Sequence, residues 1–173
     1  MLLNLIDVLD RRPRAVLAAL AVLCISLLAF GMYLQHVVGL EPCPMCIVQR
    51  YAMVLVALVA LVGAALPSQR VAAGLAAVGV VLMAGFGAFV AARQSFLQWY
   101  PPQEASCGRD FYGMIETFPL QRVVPMIFKG SGDCAAIDWT FLTLTIANWS
   151  FLNFCLVAVV GLALVWRTLV VRH

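Results

Sequence analysis

The sequence predicts an all-α membrane protein: a bundle of four transmembrane helices with one long outer loop that carries a membrane-surface helix. Three observations predict it. Hydrophobic residues make up 64% of the chain and charged residues 11%, against about 45–50% and about 25% in soluble domains. Mean hydropathy is +1.00. Four uncharged stretches each come close to the ~20 residues a helix needs to cross a ~30 Å hydrocarbon core. A spanning barrel would instead show strands that alternate polar and apolar residues. The 173 residues fit a single four-helix domain over positions 1–173. The net charge of +3 is too small to argue for nucleic acid as a partner, and no glycine-rich phosphate loop is present.

The first helix is expected at about 15–35. Arg11, Arg12 and Arg14 precede it, as basic residues precede a signal peptide. Its apolar run exceeds the ~7–15 residues of a signal core, and no clear small-residue cleavage site follows, so it is read as a retained span. The second helix is expected at about 51–69 and the third at about 71–92, joined by the tight turn Pro67-Ser68-Gln69-Arg70. The fourth is expected at about 147–166. Outer loops fill 36–48 and 97–146. Trp99, Tyr100, Trp149 and Trp166 fall at helix edges, where amphipathic rings favour the membrane interface.

Basic residues in short flanks set the orientation. Arg11, Arg12 and Arg14, then Arg70, then Arg167 and Arg172 share one side in a four-span topology. That side is expected to be cytoplasmic, with both termini on it. The opposite side receives both outer loops.

Those loops hold the chemistry. Cys43 and Cys46 form a Cys-Pro-Met-Cys motif, and Cys107 and Cys134 have 26 residues between them, positions 108–133. A CxxC lowers thiol pKa and holds two sulfurs at bonding distance, which suits reversible redox chemistry. Pro42 and Pro44 stiffen the approach to the second helix. Cys46 is expected at or near its N-terminus, where backbone N–H groups and the helix dipole favour a thiolate. Arg50 stands one turn further on. It can stabilise the Cys46 thiolate or an anionic acceptor, or it can simply reach the lipid headgroups. Cys107 and Cys134 form either a second redox pair or a static structural disulfide. The proline-broken apolar stretch between them, Thr117 to Phe128, is expected to lie on the membrane surface as an in-plane helix. The wide spacing of this pair argues against a four-cysteine zinc site, and no metal is expected. Cys24 and Cys155 fall inside spans and are assigned to packing.

Ordered motifs then resemble the disulfide bond formation protein B (DsbB) family. They are Glu41-Pro42-Cys43-Pro44-Met45-Cys46, Gln49-Arg50-Tyr51, Leu97-Gln98-Trp99-Tyr100-Pro101, Val124-Pro125-Met126-Ile127-Phe128 and Ser131-Gly132-Asp133-Cys134-Ala135, with Trp139 beyond. The resemblance covers essentially the whole chain. It implies a bacterial inner-membrane enzyme that oxidises a periplasmic DsbA-like thiol oxidase and passes the electrons to a membrane quinone, ubiquinone or menaquinone. It implies that Cys107 forms the mixed disulfide with the partner and that Cys134 is its resting mate. Cys43 then receives attack from the second loop, Cys46 faces the quinone, and Arg50 supports quinone binding. Some family members carry a histidine near the outer end of the third helix. The corresponding residue here is Gln94, preceded by Arg93, and both are candidates for the quinone head group. Glutamine can donate a hydrogen bond but cannot carry a proton as imidazole does.

Three other readings compete. A vitamin K epoxide reductase-like enzyme would carry its loop cysteines before its CxxC, the reverse of the order here. A non-enzymatic scaffold with structural disulfides does not account for a CxxC one turn before an arginine. A transmembrane thiol conduit would have to run through Cys24 and Cys155, and neither has a motif around it.

Overall fold

The structure, a computed structural model, describes residues 12–40, 42–66, 70–100, 135 and 137–170. Four long helices dominate it: α1 (Pro13–His36), α2 (Pro44–Ala65), α3 (Arg70–Trp99) and α4 (Ile146–Val165). Each is long and apolar enough to cross a membrane. A π-helical turn, Trp166–Val170, continues α4. Two short antiparallel strands, β1 (Thr140–Phe141) and β2 (Leu144–Thr145), precede it. Cys107, Cys134 and the expected membrane-surface helix lie outside the described residues.

Two helix boundaries differ from the sequence expectation, and both shifts build the site. The second helix begins at Pro44 rather than near 51. Pro44 occupies the first helical position, where a missing N–H costs nothing and the fixed φ is already helical. The third helix runs to Trp99 rather than ending near 92. Arg93, Gln94 and Gln98 interrupt the apolar run but not the helix. At 30 residues, α3 is roughly 45 Å long, well beyond a ~30 Å core, so its last turns stand at the outer end. The hairpin was not expected from sequence. Its two-residue turn places Leu142 and Thr143 at φ 50° and 67°. Turns of this type normally use Asn or Gly, so no turn signal marks it.

The helices pack in chain order: α1 on α2, α2 on α3 and α3 on α4. The first and last make no extensive contact among the described residues. The core is aliphatic and small, with Leu17, Ala21, Cys24, Val56, Ala60, Ala77, Val80, Phe154, Val157 and Leu164 all buried. Apolar side chains do not drive helices together in lipid, so close approach at small residues must hold them. Gly63 and Gly87 show this. A Cβ at 63 would overlap Ala76 of α3, and one at 87 would overlap the Phe154 ring of α4. The outward faces stay apolar, as at Val22, Leu75, Phe89 and Val159, which suits contact with lipid.

Arg12, Arg14, Arg70 and Arg167 gather at one end of the bundle, where α1, α3 and the α4 extension meet it. Arg14 Nε donates to the Ala64 carbonyl at 2.7 Å and fastens the start of α1 to the end of α2. Aromatic rings gather at the other end. Trp139 packs edge-on to Phe30 and stacks on Phe141, which in turn faces Trp149.

Candidate redox site and apolar cavity

The α1–α2 connection is short. Gly39, at φ +80°, reverses the chain, and the Leu40 N–H bonds back to the Leu34 carbonyl at 3.1 Å. Cys43 then becomes the N-cap of α2. Its sulfur accepts the Cys46 backbone N–H at 3.3 Å. This satisfies one of the N–H groups that a helix start leaves without a partner. Cys46, expected at or near the helix N-terminus, lies inside the first turn, and the sulfur that caps the helix is that of Cys43. The two sulfurs stand 2.8 Å apart, within reach of the ~2.05 Å disulfide bond.

Gln94 reaches the pair from α3. Its Nε2 donates to Cys43 Sγ at 3.3 Å and to Cys46 Sγ at 3.2 Å. The Cys46 thiol in turn donates to Gln94 Oε1 at a long 3.7 Å. Gln49 Nε2 of α2 donates to Gln94 Oε1 at 2.6 Å. Both glutamines are buried, each about 4% exposed. Burial of this kind requires satisfied amides, and the pair satisfies it by bonding across the α2–α3 seam.

Arg50 turns toward α1. Nη1 donates to Gln35 Oε1, Nη2 donates to the Gly31 carbonyl at 3.2 Å, and Met32 Sδ lies 3.9 Å from Nη1. Sequence spacing placed Arg50 on the face of Cys46; the structure shows α1 anchoring the guanidinium. Arg93 faces away. Its guanidinium lies 5.5 Å from the Phe96 ring centre, and it does not line the cavity that Gln94 lines. Adjacent helix positions diverge by about 100°, so two consecutive polar residues rarely serve one site.

That cavity has a volume of about 780 Å3 and is bounded by α1, α2, α3, α4 and the hairpin. Cys43, Cys46, Gln49, Arg50 and Gln94 line its outer end. Leu27, Phe30, Leu152 and Leu156 line it where α1 and α4 fail to close, and all four remain exposed. Among the described residues, its mouth opens on the apolar flank between α1 and α4. Asn153 of α4 also lines it, and its buried Nδ2 has no hydrogen-bond partner. The hairpin and Trp139 lie across the outer rim. At its base, Thr145 caps α4 by accepting the Asn148 N–H at 3.3 Å and donates to Gln98 of α3 at 2.7 Å.

Sequence reasoning gave no role to Gln49, Gln35 or Asn153. A usable signal existed for each, because an amide inside or at the edge of an apolar span is costly and needs a partner. What the sequence lacked was the identity of that partner.

A multi-pass bundle with a CxxC pair at a helix start, opening on an apolar cavity, has the parts of a membrane-embedded thiol–disulfide oxidoreductase. Comparison narrows the class. The family model described as "Disulfide bond formation protein DsbB" matches residues 13–164, and the chain belongs to that family. It is similar to the disulfide bond formation protein B of Polaromonas sp. strain JS666, with 69% identity over 161 residues, covering 91% of this chain and 94% of the relative. The protein of the same name from Polaromonas naphthalenivorans is 65% identical over 167 residues, covering 96% and 97%. That from Albidiferax ferrireducens is 65% identical over 163 residues, covering 92% and 91%.

Proposed function

We propose that this protein re-oxidises a periplasmic DsbA-like thiol oxidase and delivers the electrons to a membrane quinone, from the bacterial inner membrane with both termini cytoplasmic. The observation that carries the proposal is the position of the Cys43–Cys46 pair at the outer end of an apolar cavity open on the flank between α1 and α4. A thiol–disulfide enzyme facing water alone has no use for such a cavity.

The residues fit a quinone. The cavity is mostly apolar with a few converging polar groups, as ligand sites generally are. Its open α1–α4 side suits an isoprenoid tail. Arg50 and the unpartnered Asn153 amide N–H are donors suited to carbonyl oxygens. A bound quinone supplies a two-electron, two-proton sink.

The chain's own part is exchange between disulfides. In the proposed sequence, the partner's thiolate attacks the Cys107–Cys134 disulfide at Cys107 and forms a mixed disulfide. The partner's second thiol resolves it, leaving the partner oxidised and Cys107 and Cys134 as thiols. These then reduce the Cys43–Cys46 disulfide, with attack at Cys43. Each exchange makes one S–S bond and breaks one, so two electrons and two protons move inward per turnover. Cys46 hands them on as the Cys43–Cys46 bond re-forms. Arg50 holds a fixed positive charge beside the cavity, where charge develops on an acceptor. The gathering of Arg12, Arg14, Arg70 and Arg167 at the far end supports cytoplasmic termini.

The test is quinone reduction by the purified protein with a reduced DsbA-type partner, repeated with each loop cysteine replaced by Ser. Each replacement is expected to abolish coupled turnover. Full coupled activity in Cys46→Ser would remove this cysteine from the acceptor site.

A further inference from the structure

The orientation of the Gln94 amide has to be explained. A carboxamide can present either its oxygen or its nitrogen to a neighbour, and the choice is set by what the other end bonds. Here the other end bonds Gln49. Gln49 Nε2 donates to Gln94 Oε1 at 2.6 Å. With its oxygen held by Gln49 at 2.6 Å and reached by the Cys46 thiol only at 3.7 Å, Gln94 keeps its NH2 group closer to the sulfurs, at 3.3 Å and 3.2 Å. Accepting a bond at oxygen also polarises the amide and strengthens its N–H donors. The inner end is rigid, because Gln49 and Gln94 are both buried.

We propose that Gln49 is a positioning residue that locks Gln94 as a two-pronged N–H donor to Cys43 and Cys46, so that negative charge on either sulfur is met without any movement of the donor. The inference rests on the reading of Cys43 and Cys46 as the redox pair. A neutral thiol or a disulfide sulfur accepts a hydrogen bond weakly, whereas a thiolate accepts a charge-assisted one strongly. The clamp therefore favours the charged species that attack and leave in thiol–disulfide exchange. One NH2 group spans both sulfurs, so charge can pass from Cys43 to Cys46 across a fixed donor pair. The backbone N–H of Cys46 adds a third donor, to Cys43 alone. Amides do not titrate near neutral pH, so this stabilisation stays constant there.

The test is the pH dependence of iodoacetamide alkylation at Cys43 and Cys46, followed by mass spectrometry on the reduced full-length protein in detergent without quinone. Gln94→Met removes the donor and nearly preserves volume. It is expected to move the midpoint of the alkylation profile up by about one pH unit. Gln49→Met leaves Gln94 in place but free to turn, and a smaller shift in the same direction is expected. The double variant is expected to match Gln94→Met alone, because Gln49 acts only through Gln94. An unshifted profile in either single variant overturns the proposal, and so does an additive double variant. Where Gln94→Met fails to fold, Gln94→Asn replaces it: the amide remains but falls short of the sulfurs, and the same upward shift is expected. The titration needs neither the partner nor quinone, so its outcome is independent of whether coupled turnover is observed.

Discussion

The two ends of the bundle are built on opposite rules. The half that carries Arg12, Arg14, Arg70 and Arg167 is small, mostly aliphatic and closed. Leu17, Ala21, Val56, Ala60, Ala77, Val80, Phe154 and Val157 fill it, and Gly63 and Gly87 let helices touch. The outer half is polar inside and open. Among the described residues the buried polar side chains are Gln49, Gln94, Ser95 and Thr145, and all four sit at that end. The cavity lies there too. The difference separates labour: the closed half supplies packing, and the open half gives up packing for hydrogen-bonding groups aimed at two sulfurs and a cavity. Dense packing would leave no room for an acceptor, and an all-polar seam would not hold in lipid.

The sharpest way to test this division is to remove chemistry without touching packing. Cys46→Ser is expected to lose quinone reduction from every donor, small dithiols included, while thermal unfolding stays within error of wild type. Quinone absorbance with dithiothreitol as donor measures it. Cys107→Ser is expected to lose partner oxidation but to keep reduction of the Cys43–Cys46 pair by small dithiols. Equal loss in both assays would merge two roles that the proposal keeps apart.

The converse change damages packing and spares chemistry. Gly87→Val drives a branched side chain into the Phe154 ring, and overpacking of this kind costs about 1–3 kcal/mol. A clear drop in unfolding temperature is expected, with normal alkylation rates at Cys43 and Cys46 in the folded fraction. A change in cysteine reactivity at unaltered stability would show that the two halves are coupled.

Arg50 probes the boundary of the cavity. Arg50→Ala is expected to raise the KM for quinone and lower kcat, by about tenfold in kcat/KM, which corresponds to ~1.4 kcal/mol. Lys at this position keeps the charge but loses the planar donor fork toward Gln35 and Gly31, so intermediate activity is expected. Steady-state kinetics with varied quinone decide it. Wild-type kinetics in folded Arg50→Ala would make the residue a headgroup anchor. Arg93→Gln is expected to change quinone kinetics least, because Arg93 packs on Phe96 outside the cavity. A quinone effect as large as that of Arg50→Ala would place Arg93 at the acceptor after all.

Among structural variants at the outer end, Thr145→Val removes both the α4 cap and the bond to Gln98. Loss of such a cap costs about 1 kcal/mol. A modest fall in stability with little change in cysteine reactivity is the expected result, read by thermal unfolding and alkylation in parallel.

The sequence alone determined the number of spans and their order. Hydropathy suffices for that, because transferring a helix into lipid is decided residue by residue. It also placed Cys46 at or near the start of a helix and Arg50 one turn on, since both follow from local spacing. Only tertiary structure decided what those side chains touch. Arg50 spacing relative to Cys46 did not reveal that Gln35 and Gly31 of α1 would bond it. Arg93 and Gln94 are indistinguishable as neighbouring polar residues until α2 packs against α3 and places one of them on the sulfurs. Gln49 read as one more residue of a motif until its amide met Gln94 across that seam. The cavity was not visible in the sequence at all, because it exists only where α1 and α4 fail to meet. Periodicity reports which faces are apolar; it does not report which apolar faces find each other.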